Sequence, residues 1–118
     1  MSHRIYQMSF SSIYSALLNK VIRKGGKETD LDDIISWMTG YRTNALNDLK
    51  RSEKTYGEFI QQAPSYNPFR TNITGKICGV QIESIEDPIM QEIRRLDKLV
   101  DWLAKGKTVE QIKAKYEI

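Results

Sequence analysis

The sequence predicts one helix-dominated α+β domain, with five or six helices and one short β-hairpin or small antiparallel sheet. Three observations predict it. Apolar residues recur at i, i+3, i+4 and i+7 through most of the chain. Helix-capping residues fall between those stripes. One segment, 72–82, instead places β-branched residues around a Gly75-Lys76 pair. The 118 residues fit a single compact domain spanning 1–118, and no repeat or linker divides them.

Residues 4–8 read as a short strand, although their alternation is imperfect. After Ser9 the pattern turns helical, with Tyr14, Leu17, Leu18 and Val21 on one face. Gly25-Gly26 ends this helix, and Lys20, Arg23 and Lys24 in its last turns complement the negative end of the macrodipole. Thr29-Asp30 starts the next helix, and Glu28, Asp30, Asp32 and Asp33 favour its positive end. Leu31, Ile34, Ile35 and Met38 form its inner face, Trp37 flanks that face, and Gly40 stops it. Thr43 is expected to cap a third helix containing Ala45, Leu46 and Leu49. Thr55 and Glu58 form a capping-box pair ahead of Phe59, Ile60 and Ala63, and Pro64 closes that helix.

Residues 64–72 are turn-rich and aperiodic, which predicts a loop. The following hairpin is expected to turn at Gly75-Lys76 in a type II′ geometry, with Gly79 inside the second strand as a bulge or close approach. Asp87-Pro88 opens the clearest helix: Asp caps, and Pro at the first position loses no hydrogen bond. Ile89, Ile93, Leu96, Val100 and Leu103 run along it, Leu99 and Trp102 widen the stripe, and Gly106 stops it. This helix, 88–105, is expected to be the spine, with Leu96, Val100 and Leu103 buried. A second capping box, Thr108 and Gln111, starts a further helix with Val109, Ile112 and Tyr116.

Composition narrows the function classes. The net charge of +3 comes from 18 basic residues interleaved with 15 acidic ones, a mixed solvated surface without the dense basic stripe of many nucleic-acid binders. No apolar run approaches the ~20 residues that span a bilayer, and the first residues lack a secretion-signal pattern. One cysteine, Cys78, forms no internal disulfide and fits a reducing compartment. In Ile-Cys-Gly-Val it reads as a small buried hydrophobe.

No local motif carries catalysis. The single histidine, His3, lies far from the fixed scaffold that a catalytic base needs. Asp30, Asp32 and Asp33 lack the glycine and bidentate glutamate of a calcium loop, so the sequence assigns no metal and no cofactor. Gly25-Gly26-Lys27 is too short for a phosphate loop and follows a helix where such loops follow a strand. Thr39-Gly40-Tyr41-Arg42 reads first as a helix stop and turn, yet it gathers an aromatic and an arginine able to stack on a ring or hold an anion.

In order along the chain stand His-Arg-Ile-Tyr at 3–6, Met-Ser-Phe at 8–10, Trp37 with Thr-Gly-Tyr at 39–41, and Asn-Pro at 67–68. Ile-Thr-Gly at 73–75, Ile-Cys-Gly-Val at 77–80 and Ile-Glu-Asp-Pro at 85–88 follow, then Leu-Asp-Lys-Leu-Val at 96–100 and Leu-Ala-Lys-Gly-Lys at 103–107. Across nearly its whole length the chain resembles domain of unknown function family 2200, small proteins of bacteria. The resemblance implies a bacterial cytosolic protein and carries over no activity and no functional residue.

The expectation is therefore a non-enzymatic cytoplasmic domain that binds a small ligand or a protein, a second copy of itself included. Its ligand-binding candidates are Trp37, Tyr41, Arg42 and Asn72. The alternative is nucleic-acid binding through a helix-turn-helix-like segment at 30–51, whose second helix carries Arg42, Asn44, Asn47, Lys50 and Arg51. A further alternative is an enzyme whose site gathers scattered polar residues, His3, Tyr6, Tyr41 and Asn72.

Overall fold

The structure is a computed structural model and describes residues 4–117. Among these residues seven α-helices follow in order: α1 (Arg4–Gln7), α2 (Phe10–Arg23), α3 (Glu28–Thr39), α4 (Thr43–Lys50), α5 (Tyr56–Gln61), α6 (Pro88–Ala104) and α7 (Val109–Tyr116). Between α5 and α6 lies a two-stranded antiparallel sheet, β1 (Lys76–Ile77) and β2 (Val80–Gln81), with a 3₁₀ turn on either side at Pro68–Asn72 and Ile82–Ser84. No helix among the described residues is long and apolar enough to cross a membrane.

Helix α6 is the spine. Asp87 caps it, its Oδ1 accepting the Ile89 backbone N–H at 3.0 Å, and Pro88 occupies the first turn. Ile93, Leu96, Leu99, Val100 and Leu103 are buried along its inner stripe, each worth roughly 1.5–3 kcal/mol of apolar burial. Helices α2, α3, α5 and α7 all pack against it. Both capping boxes form as the spacing predicts, Thr55 with Glu58 on α5 and Thr108 with Gln111 on α7.

A second packing centre is aromatic. Phe10 of α2 stacks on Phe59 of α5 with ring centroids 4.1 Å apart, and Tyr41 stacks on the same Phe59 at 4.9 Å. Gly40 delivers Tyr41 to that position. It ends α3 at φ +81° and donates its N–H to the Ser36 carbonyl at 2.9 Å. A Cβ at this position would lie 2.6 Å from the Ser65 carbonyl oxygen, so the turn needs glycine for both its dihedral and its space.

Several expectations are corrected. Residues 4–8 are not a strand: Arg4–Gln7 form α1, and its Tyr6 backbone lies close over Gly57 of α5. Extended pairing near this segment is confined to one bridge, Ser9 opposite Thr55, flanked by Phe10 N–H to Lys54 O at 2.8 Å and Tyr56 N–H to Met8 O at 2.7 Å. Helix α3 starts at Glu28, ahead of Thr29-Asp30, and Thr43 does not cap α4 but is its first residue, behind Arg42. The hairpin turns at Cys78-Gly79, where both residues have positive φ (53° and 76°), the signature of a type I′ turn. Gly79 is therefore a turn residue, and Cys78 is exposed at the tip rather than buried.

Candidate functional site

The helical register of α6 sets Lys98, Trp102 and Lys105 on one face, at spacings of four and three. Helix α7 returns across that face and adds Lys115. Three ammonium groups consequently surround one indole: Lys115, Lys105 and Lys98 place Nζ 5.0, 5.4 and 5.6 Å from the ring centroid. Each such contact at an exposed position is worth only about 0.5–1 kcal/mol. The ring itself is fixed. Its N–H donates to the Tyr116 hydroxyl at 2.9 Å, and Tyr116 is buried. Burial raises the Tyr116 hydroxyl above its ordinary pKa, against the opposing effect of the Trp102 donor, so it stays a neutral acceptor near pH 7.

Two hollows open beside this tryptophan. One, about 340 Å³, is lined by Asn72, Thr74, Lys98, Trp102, Lys115 and Tyr116. The other, about 300 Å³, is lined by Trp102, Lys107, Gln111, Ile112 and Lys115. Neither lining contains a carboxylate. Lys105 pairs with Asp101 at 3.0 Å, and Lys98 donates to the Lys76 carbonyl at 2.9 Å. Among the described residues no ion pair involves Lys98, Lys107 or Lys115. The arrangement offers a flat aromatic face ringed by positive charge, of which only Lys105 is paired with a carboxylate.

Of the residues nominated from sequence, Asn72 belongs to this site. It lines the larger hollow, and its Nδ2 donates to the Tyr116 carbonyl at 2.7 Å, tying the end of α7 to the 3₁₀ turn. Trp37 lies elsewhere. Its N–H donates to Glu117 Oε1 at 3.0 Å, and it lines a shallow groove of about 550 Å³ with Ser65–Phe69, Lys113 and Glu117. Tyr41 is committed to the core, donating its hydroxyl to the Phe59 carbonyl at 2.8 Å. Arg42 is exposed just before α4. The four do not line one pocket.

Tyr6 of α1 and Asp87, the cap of α6, meet at a third place. The Tyr6 hydroxyl donates to Asp87 Oδ2 at 2.7 Å, beside a hollow of about 490 Å³ lined also by Gln7, Thr55, Glu58 and Gln61. Burial first, and then this hydrogen bond, push the Tyr6 hydroxyl up to about 12. Tyr6, Tyr41 and Asn72 thus hold three separate partners rather than one site. His3 lies outside the described residues.

The family model described as an uncharacterized protein conserved in bacteria (DUF2200) matches residues 4–114. The chain belongs to this family. The crystal structure of the uncharacterized protein SP1917 is also similar: 56% identical, with a TM-score of 0.97 over 100% of this chain and 97% of that one. No curated protein matches. Neither description names a ligand or a reaction, so the chemistry of this DUF2200 domain is read from its residues.

One further cluster in this DUF2200 chain is structural. The acidic start of α3 is absorbed by its neighbours: Lys50 reaches Asp32 at 2.9 Å and Glu28 at 3.2 Å, Tyr14 donates to the same pair, and Lys113 pairs with Asp33 at 3.2 Å. This network joins α2, α3, α4 and α7. It also engages Lys50, one of the residues on which the helix-turn-helix reading depends, while Arg51 pairs with Asp48 at 3.3 Å. Among the described residues no group of three or more His, Cys, Asp or Glu side chains is placed to hold a metal ion. The Trp102 site had one signal in the sequence. Lysines at i−4 and i+3 of a tryptophan mark a basic helix face with an aromatic at its centre.

Proposed function

We propose that this chain is a non-enzymatic cytoplasmic binding domain whose ligand is a small anion-bearing molecule held at Trp102. One observation carries the reading: three ammonium groups ring a fixed indole, beside two hollows whose linings include no carboxylate. Crowded like charges are unfavourable, and an anionic ligand relieves them. The indole provides the apolar contact that a small-molecule site needs beside its polar groups.

A small ligand is favoured over an apolar dimer face. The exposed large apolar side chains among the described residues are Met8, Ile22 and Phe69, each on a different segment. Single exposed side chains of this kind are ordinary and require no partner.

Thermal unfolding with and without pyrophosphate tests the proposal. The midpoint should rise with pyrophosphate, fall back as salt is added, and not respond to uncharged sugars. A Lys107→Gln/Lys115→Gln double variant should lose the rise, since both lysines are exposed and free of ion pairs. An equal rise in wild type and double variant, or none in either, would overturn the assignment.

A further inference from the structure

We propose that the ligand at Trp102 is a mononucleotide, its base stacked on the indole and its phosphate held between Lys115 and Lys98 or Lys107. The inference rests on the anion-binding reading above and gives that ligand a chemical class.

A bare anion accounts for the lysines but not for the ring. The indole N–H is already spent on Tyr116, so Trp102 offers a ligand its π face rather than a hydrogen bond. A π face of fixed orientation suits a flat aromatic group, and base–aromatic stacking tolerates any of the four bases. The ammonium groups now beside the ring are on flexible stems. When a base covers the face they move to its phosphate, so their charge serves both states.

The space fits the two parts of such a ligand. The hollows of about 300 and 340 Å³ share Trp102 and Lys115, so Lys115 stands between them and reaches a phosphate from either side. Each is near the lower end of small-ligand pockets, roughly 300–1,000 Å³. Polar groups able to meet a base edge or a ribose line both: Gln111 on one side, Asn72 and Thr74 on the other.

A nucleic-acid strand fits less well. Sequence-tolerant strand binders use successive aromatic platforms along a charged groove. Here one tryptophan stands within two short hollows, on a chain whose 18 basic residues are nearly balanced by 15 acidic ones.

Calorimetric titration of the full chain with adenosine and guanosine monophosphate, the matching nucleosides, pyrophosphate and a mixed-sequence decanucleotide tests this. A Trp37→Phe variant makes Trp102 the sole tryptophan and reads the same titrations by fluorescence quenching. The mononucleotides should bind roughly 10-fold or more tighter than pyrophosphate, the gain expected from stacking one base. They should quench Trp102. Trp102→Leu should remove that gain while pyrophosphate still binds, and Lys115→Gln should weaken both. Pyrophosphate binding as tightly as the nucleotides would overturn the nucleotide assignment and leave the anion site standing. A decanucleotide at least 10-fold tighter would overturn it in favour of a strand, and no binding by any probe would remove both readings.

Discussion

Trp102 and Tyr116 face each other across the α6–α7 junction, the indole N–H donating to the phenol oxygen at 2.9 Å. The bond orients the ring and fastens α7 to the spine at once. Tyr116→Phe should cost about 1 kcal/mol, the typical net worth of such a bond. In a double-mutant cycle with Trp102→Phe, urea denaturation should show a coupling of similar size. Additive single effects would mean that packing alone holds the pair.

Gly40 and Gly25 both have positive φ, but only Gly40 has a neighbour in the space of a side chain. Gly25→Ala should cost about 1 kcal/mol, the penalty of the left-handed conformation alone. Gly40→Ala should cost appreciably more, because its methyl meets the Ser65 backbone and must displace the 64–67 loop. Equal losses in chemical denaturation would show that the loop yields freely.

Leu96 lies fully buried at the centre of α6. Leu96→Ala should lose about 2–5 kcal/mol through lost burial and the cavity left behind. Leu96→Asp should give no folded protein, since a lone carboxylate there has no partner. A soluble aspartate variant with a cooperative melt would refute the position of the core.

Glu28 is held below its ordinary pKa of 4.5, first by the Tyr14 hydroxyl and then by Lys50. Its contribution to stability is present above the unfolded value and is lost as pH falls through the lower folded one. Its side chain is 51% exposed, so solvent screening keeps the contribution below about 1 kcal/mol. Glu28→Gln should therefore be slightly less stable than wild type at pH 7, and the gap should close as pH falls through the lowered folded value. A constant gap between the two stability curves would assign the effect to packing.

Cys78 occupies the first position of a type I′ turn at φ 53°, where asparagine is better suited. Cys78→Asn should raise the unfolding midpoint by one or a few degrees. The wild-type thiol should react fully with an aromatic disulfide reagent in the native state, since it is exposed.

These residues show which parts of the molecule the sequence discloses. Helix α6 is legible because its cap, proline and apolar stripe lie within one short window and its packing follows the same register. Thr55–Glu58 and Thr108–Gln111 are legible for the same reason. Tyr41 was not, because its burial depends on Phe59, 18 residues away, and on the turn that Gly40 allows. The hairpin turn was displaced because both Gly75-Lys76 and Cys78-Gly79 carry a glycine, and only the pairing of Lys76 with Gln81 selects the second. The Trp102 site is half legible. Two of its lysines follow from helical spacing, but Lys115, Asn72 and the hollows exist only once α7 folds back over α6.

Helix α7 has eight residues, too few to hold a helix in water without support. Its order is borrowed from four tethers: Trp102 to the Tyr116 hydroxyl, Asn72 to the Tyr116 carbonyl, Trp37 to Glu117, and Lys113 to Asp33. Whatever bridges Lys98 on α6 and Lys115 on α7 adds a fifth. Occupancy at Trp102 would then be read out as slower amide exchange along 109–116, a local stiffening that leaves the rest of the domain unchanged.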